Sequence, residues 1–418
     1  MRFTMTDNAE ANTNTLRRQV QSGLWGHGFM SRIVLLYADT GGGHRSAAEA
    51  VACGLDMLYG DRYDVKLLNA IAHLGFPFNH MEKSYPFVVN QVPFLHWLSF
   101  YTTNGRRRAW IVRSALLASG RQFAIKVLHD NPADVYVACS PIYSQVLPHF
   151  MPLMTKGEAR LVIVATDMVS GHATNYAPQA DYCLVPTEYA RREAIQFGVP
   201  SDRVRVVGQP VRPDLRSRMR DAAVTREQLG FDDRSPVVLL IGGGDGMGQL
   251  GPTARAIALS GLPLQLVVVC GRNQVVKEEL DQLDARVPIR TLGFVNNVPE
   301  LMGAADILVT KAGAATLGEA FIAQLPLLIY DMVPGQEKGN VHYVVKKGAG
   351  AWCPTPRAVV EKLAQLLQNA DQVSQMRQAS ARLARPDSAL DIARIVAQVC
   401  DGIPVHHEVQ PRLSVIGL

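Results

Sequence analysis

Much that would fix a function at once is missing from this 418-residue chain. Its six cysteines (Cys53, Cys139, Cys183, Cys270, Cys353 and Cys400) lie far apart, with no CxxC pair. That spacing predicts reduced thiols in a cytosolic compartment rather than a zinc or disulfide framework. No apolar run approaches the ~20 residues that a membrane-spanning helix needs. Residues 1–30 are polar and lack the apolar core of a signal peptide, so they read as a loose extension, with Met30 as an alternative start. There is no DxD, so a metal-bridged diphosphate is not indicated, and neither HExxH nor GxSxG occurs. Charged residues are sparse, 19% against 48% hydrophobic, which marks a globular chain rather than a disordered one. The net charge of +5 is mild, and the length is enough for two full cores.

What is present is a regular alternation of short apolar strands with helical stretches. The first series holds "RIVLLYA" (32–38), "YDVKLLN" (63–69), "DVYVACS" (134–140), "RLVIVATD" (160–167) and "YCLVP" (182–186). A second holds "PVVLLIGGG" (236–244), "LQLVVVCG" (264–271), "IRTLGF" (289–294), "DILVTKAG" (306–313) and "LPLLIYD" (325–331). Consecutive Val, Ile and Leu predict parallel strands covered on both faces. Two such series predict an α/β protein of two doubly wound domains. The joint falls in "VVGQPVRPDL" (206–215), where Gly208, Pro210 and Pro213 break regular structure. The expected organisation is an extension (1–30), a first domain (31–210), a second domain (211–385), and a final segment (386–418) whose amphipathic stretch 386–400 is placed back on the first domain by analogy. Ligands of such sheets bind at the carboxyl ends of the strands, here the cleft between the domains.

One segment has no acid at all. Between Lys83 and Asp130 there is no Asp or Glu, while Arg106, Arg107, Arg108, Arg113, Arg121 and Lys126 alternate with Tyr85, Phe87, Phe94, Trp97, Phe100, Tyr101, Trp110 and Phe123. Basic and aromatic side chains together suit an anionic lipid surface. Composition leaves open a helical core insertion with a solvated basic edge, and ranks nucleic acid below both.

Several loops carry candidate chemistry. Gly41-Gly42-Gly43-His44 lacks the Lys-Ser/Thr of a Walker loop and the spacing of a dinucleotide fingerprint. It offers close backbone approach at a helix start beside an imidazole able to act as a base or phosphate donor, or it is merely a tight turn. The loop Gly242–Gly248, with Asp245 ill suited to a phosphate, reads as allowing close approach of the domains. In "TKAGAATLGEAF" (310–321) Gly313 gives a turn, the helix start offers free N–H groups to a diphosphate, Thr316 adds a hydroxyl, and Glu319 suits a ribose diol or simply complements the helix dipole. Gln336 and Glu337 in "PGQEKGN" (334–340) suit sugar hydroxyls.

In order along the chain, "DTGGGHRSAAEA", "PFN…SY.F" (77–87), "ATD…H" (165–172), "VGQPVRP" (207–213), "GGGDGMG", "CGRN" (270–273), "GFV" (293–295), "TKAG..T..EA" and "GQEKGNV" closely resemble one family, the monogalactosyldiacylglycerol synthases and bacterial diacylglycerol glucosyltransferases, with a more distant likeness to the enzyme that adds N-acetylglucosamine to lipid I. The match runs from about Ile33 to about Pro386. The resemblance implies a GT-B fold, a UDP-galactose or UDP-glucose donor held by the C-terminal domain, a diacylglycerol acceptor at the N-terminal domain, peripheral attachment to the cytoplasmic face of an anionic membrane, and no metal, cofactor or nucleic acid. It implies that His44 lies near donor phosphates and acceptor hydroxyl and that Gly43 belongs to the same loop. Arg272 then contacts the nucleotide, Phe294 and Val295 hold the uracil by backbone, Gly313, Thr316 and Glu319 meet diphosphate and ribose, and Gln336 and Glu337 meet the hexose. Asp167 and His172 fall in the acceptor-side motif. The basic aromatic segment, with Trp97, Arg106, Arg107, Arg108 and Trp110, falls where the family meets the membrane. Two departures stand out. Ala314-Ala315 replace Pro-Gly, and a usual His-x-x-Trp reads His172-Ala173-Thr174-Asn175.

The expectation is an inverting transferase moving a hexose from a UDP-sugar to diacylglycerol, with either His44 or Asp167 as base. A UDP-sugar epimerase or hydrolase and a non-catalytic membrane-surface sensor are the rivals.

Overall fold

The computed structural model describes residues 30–40, 42–105, 107–232, 234–244, 246 and 248–405. The N-terminal extension, Gly41, Arg106, Asp245, Met247 and the tail after 405 lie outside the described residues, and so does the side chain of Phe87. The first sheet comprises β1 (Ser31–Leu36), β2 (Tyr63–Leu68), β3 (Val135–Ala138), β4 (Arg160–Val164), β5 (Tyr182–Val185) and β6 (Val204–Val206), in the order β2-β1-β3-β4-β5-β6. The second comprises β7 (Val237–Ile241), β8 (Gln265–Val269), β9 (Ile289–Leu292), β10 (Ile307–Lys311), β11 (Leu327–Asp331) and β12 (Gly350–Trp352), in the order β12-β11-β10-β7-β8-β9. The strands pair in parallel throughout both sheets. Ten strands match the ten apolar runs. The other two, β6 and β12, have three residues each, too short for a hydrophobic run to register.

Both faces of each sheet are covered, which is why the strands are apolar at every position. Val34 and Leu36 of β1 enter one core layer, and Ile33 and Leu35 enter the layer behind it. The helices that bear on the cleft are α1 (Gly43–Tyr59), α2 (Met81–Gln91), α3 (Pro93–Thr103), α4 (Ala109–Asp130), α5 (Ala314–Ile322), α6 (Lys338–Lys346) and α7 (Ser388–Cys400). Helix α7 follows the second sheet in sequence, yet its Ile392, Ala393 and Val396 share a core layer with Val51 and Leu55 of α1 and Ile33 of β1. Gly54 makes this packing possible, since a Cβ there would stand 2.8 Å from the Ala389 carbonyl oxygen. Met168, in the loop after β4, crosses the other way and is buried in the core of the second sheet beside Leu317. Among the described residues no helix is long and apolar enough to cross a membrane.

In each sheet the strand order reverses beside the first strand, between β1 and β3 and between β7 and β10. Crevices open at the carboxyl ends of such switch points. The loops after β1, β7 and β10 each carry glycine and leave strands at the switch points, so topology aims them at the cleft.

Helix α3 borders that cleft, and His172 fixes it. Its Nε2 lies 3.0 Å from Thr103 Oγ1 and its Nδ1 lies 2.8 Å from Thr174 Oγ1. The Phe100 ring meets it edge-on at 5.6 Å. Next to it, Ala173 N donates to Asn104 Oδ1 at 2.9 Å. Burial pushes the His172 pKa down to about 4. An unfolded histidine binds its proton at about 6.5, so the unfolded chain holds more protons than the folded one between these values. Stability is therefore lost as pH falls from about 6.5 to about 4, by at most about 3 kcal/mol. His172→Gln is expected to flatten this fall in thermal midpoint; equal pH slopes for both proteins would show that folding does not lower the His172 pKa.

Candidate active site

The site builds outward from His44. Gly42 caps α1 with φ +81°, a left-handed conformation that favours glycine, and the helix begins at Gly43. His44 therefore sits in the first turn, above the β1–β3 switch point. Thr166, just past β4, places Oγ1 2.9 Å from His44 Nδ1. Burial lowers the His44 pKa from its ordinary value, with the Asp167 charge and a hydrogen bond to the Cys139 backbone opposing. The imidazole is thus neutral at neutral pH, the form able to accept a proton.

Asp167 joins the two halves of the molecule. Its Oδ1 accepts from Gln336 Nε2 at 2.9 Å, across the cleft. Its Oδ2 accepts from Asn175 Nδ2. Gln336 is held further by Tyr85, whose hydroxyl donates to its Oε1 at 3.3 Å, and by Ser170 Oγ, which donates to its carbonyl at 3.1 Å. The second-sheet loop meets α3 as well: a Cβ on Gly335 (φ +90°) would lie 2.9 Å from the Phe100 ring.

The remaining second-sheet candidates lie past the carboxyl ends of β8, β9, β10 and β11. Glu337 Oε2 accepts from Val333 N at 2.7 Å, and burial raises its pKa against the pull of Lys311. Its other oxygen stands 3.8 Å from where a Gly313 side chain would begin, so the turn before α5 and the polar loop before α6 abut. Thr316 lies in the first turn of α5 and Glu319 one turn on. Burial pushes the Glu319 carboxyl up to about 7, with the Arg218 charge opposing. Arg218 itself grips Glu300 through two bonds of 2.9 and 3.1 Å. Arg272 lies over the Phe294 ring at 5.0 Å, Phe294 is 60% exposed, and Val295 packs against the second core.

The second glycine loop differs from the expectation that it lets the domains approach. A Cβ on Gly246 would sit 1.8 Å from the Cys270 carbonyl oxygen, and one on Gly248 2.5 Å from Asp331 Oδ2. These glycines pack the loop onto strand ends of its own sheet. Polar residues that sequence reasoning passed over are Thr166, Ser170, Asn175 and Arg218. Thr166 was legible as Asp167's neighbour in the "ATD" motif and Asn175 as the residue in the Trp position of the departing His-x-x-Trp; nothing local marked Ser170 or Arg218.

On the outer side, α3 and the start of α4 expose Phe94, Leu95, Trp97, Tyr101, Trp110 and Ile111. Phe94 stacks on Trp97 at 5.7 Å, and Trp97 meets Tyr101 at 5.1 Å. Arg107 is exposed beside them, and Arg108 Nη1 donates to the Tyr101 carbonyl at 2.9 Å. Among the described residues no group of three or more His, Cys, Asp or Glu side chains is placed to hold a metal ion.

Comparison with known proteins agrees with this geometry. The family model for monogalactosyldiacylglycerol (MGDG) synthase matches residues 44–211, and that for the glycosyltransferase family 28 C-terminal domain matches residues 238–393. A probable chloroplastic monogalactosyldiacylglycerol synthase of Glycine max is 34% identical over 376 residues, covering 86% of this chain and 70% of that protein. The monogalactosyldiacylglycerol synthase of Spinacia oleracea is 33% identical, covering 86% and 71%. Among solved structures, Acinetobacter baumannii MurG superimposes with a TM-score of 0.56 at 17% identity, over 88% of this chain and 99% of that one. A Neisseria meningitidis UDP-GlcNAc 2-epimerase does so with 0.58 at 13%, over 88% and 100%. These distant structures establish the GT-B fold and nothing finer. A first-domain match that begins at His44 and relatives above 30% identity, aligned over more than two thirds of both chains, together place this chain in the monogalactosyldiacylglycerol synthase family of glycosyltransferases.

Proposed function

We propose that the protein transfers galactose from UDP-galactose to the free hydroxyl of diacylglycerol, with inversion at the anomeric carbon. The observation that carries this is the joining of His44, Thr166 and Asp167 on one wall of the cleft to Gln336 and Glu337 on the other. A reaction between a nucleotide sugar and a second substrate needs both walls. The acceptor oxygen attacks the sugar from the side opposite UDP, and His44 or Asp167 takes its proton. The neutral state of His44 suits that task. The leaving diphosphate gains from the N–H groups that open α5 and from Arg272. Thr316 and Glu319 then face the nucleotide, and Gln336 and Glu337 the hexose. The relatives' names support galactose over glucose, and no metal or other cofactor enters the scheme.

The rivals have less behind them. The epimerase likeness is one of fold at 13% identity, whereas the relatives above 30% identity are named as monogalactosyldiacylglycerol synthases. The exposed aromatic face of α3 and α4, with Arg107, Arg108 and, in sequence, Arg106 beside it, supports peripheral docking on an anionic membrane where the acceptor resides, which we place on the cytoplasmic side.

Two outcomes follow. His44→Ala is expected to lose turnover by about 10²- to 10⁴-fold, the range of lost acid–base catalysis, with UDP affinity within a few-fold of wild type. Lipid-dependent UDP release from UDP-galactose but not UDP-glucose is the accompanying wild-type result; release without diacylglycerol would mean a hydrolase, and no release a sensor. Replacing Trp97 and Trp110 together by Ser is expected to weaken binding to anionic vesicles about tenfold or more, with UDP affinity in solution unchanged. Undiminished cosedimentation would move the membrane contact elsewhere.

A further inference from the structure

We infer that Asn175 is a positioning residue for this reaction, holding the Asp167 carboxylate in its working orientation from within the first domain. The inference rests on the reading of Asp167 as part of the reacting centre. Asn175 is 5% exposed and closes the short turn Ala173–Asn175, where its backbone N–H donates to the His172 carbonyl at 2.8 Å. Its side-chain amide donates to Asp167 Oδ2, and Gln336 donates to Oδ1 at 2.9 Å.

The two donors differ in kind. Gln336 belongs to the other sheet, so its bond exists only while the walls are together. Asn175 shares a wall with Asp167, and its bond persists when the cleft opens to exchange substrates. Asn175 therefore sets the carboxylate's resting direction and Gln336 completes it on closure. Both donors are neutral amides, which orient the carboxylate without cancelling its charge. A cationic partner would hold it as well but remove the field that reaches His44.

Gly171 is shaped to this pair. Its φ is not left-handed, yet a Cβ there would lie 2.6 Å from Asn175 Nδ2 and 3.3 Å from Asp167 Oδ2. Its backbone N–H is tied to Glu193 Oε2 at 2.9 Å, so the loop has little room to yield. The glycine is required by the amide–carboxylate contact rather than by the backbone.

The test is a double-mutant cycle on UDP release with diacylglycerol vesicles. Asn175→Ala is expected to lower kcat about 100-fold, the scale of a displaced catalytic group, with donor KM and UDP affinity within about twofold. In an Asp167→Ala background the same change is expected to cost less than about twofold, because its effect runs through the missing carboxylate. Gly171→Ala, which displaces the amide from the other side, is expected to show the same loss and the same non-additivity, and it carries the test if Asn175→Ala does not fold. Losses that multiply in the double mutants, or a UDP affinity that falls as far as kcat, would overturn the inference and leave Asn175 as packing. If Asp167→Ala alone keeps full turnover, the assignment of Asp167 fails first and the inference falls with it.

Discussion

A single hydrogen bond, from the Gln336 amide to the Asp167 carboxylate, is where the two halves of this molecule become one site. Each sheet is stable on its own terms, with apolar strands sandwiched by helices and a continuous core on each face. Apart from Met168, those cores do not draw the strand ends toward one another. The meeting is arranged by short polar and glycine-bearing loops: Ser170 bonded to the Gln336 backbone, Gly339 close enough that a Cβ would sit 2.5 Å from Ser170 Oγ, and Gly335 under Phe100. Met168 adds one apolar anchor across the cleft. The Gln336–Asp167 bond by itself contributes about 1 kcal/mol net, so the join rests on the sum of these contacts rather than on any one of them.

The electrostatics of the cleft follow from burial more than from ion pairing. Glu319 and Glu337 are both raised by burial, each with a cation opposing, Arg218 for one and Lys311 for the other. His44 is lowered by the same cause, although Asp167 pulls the other way. Burial thus disfavours the charged forms of all three groups, and in the proposed reaction the diphosphate would meet Arg272 and the opening N–H groups of α5. Partial charges on backbone groups cost no reorganisation when negative charge develops on a leaving group.

Most of the fold was legible in the sequence because buried parallel strands must be apolar at successive positions, and ten such runs are hard to miss. The two strands that escaped are three residues long, where side-chain pattern carries no signal. Site loops were legible where glycine or a helix start reveals them, as at Gly42 and Gly313. The function of the Gly242–Gly248 loop was not, because glycine announces close approach without naming what approaches; here it is Cys270 and Asp331 of the same sheet. Asn175 shows the same limit. Its place in a departing His-x-x-Trp motif was visible, but its partner Asp167 lies eight residues back and is met only through the turn at Gly171.

Helix α3 is the element whose composition makes sense only when both of its surroundings are counted. A helix apolar nearly all round belongs in a core or beside a lipid phase. One side of α3 is spoken for by protein: Phe100 on Gly335 and His172, Thr103 on the His172 ring, and Asn104, which follows it, on the loop beyond. The other side turns Phe94, Leu95, Trp97, Leu98 and Tyr101 outward, 39–69% exposed along about 11 Å of helix. A water-facing row of that kind is costly unless something covers it, and the neighbouring arginines favour an anionic cover. The same eleven-residue helix that presents this row also leans, through Phe100, on the loop that holds Gln336. Apolar composition on the outside and shape complementarity on the inside are therefore one requirement on one helix, linking the place where a lipid acceptor would arrive to the wall that, in the proposed reaction, would face the sugar.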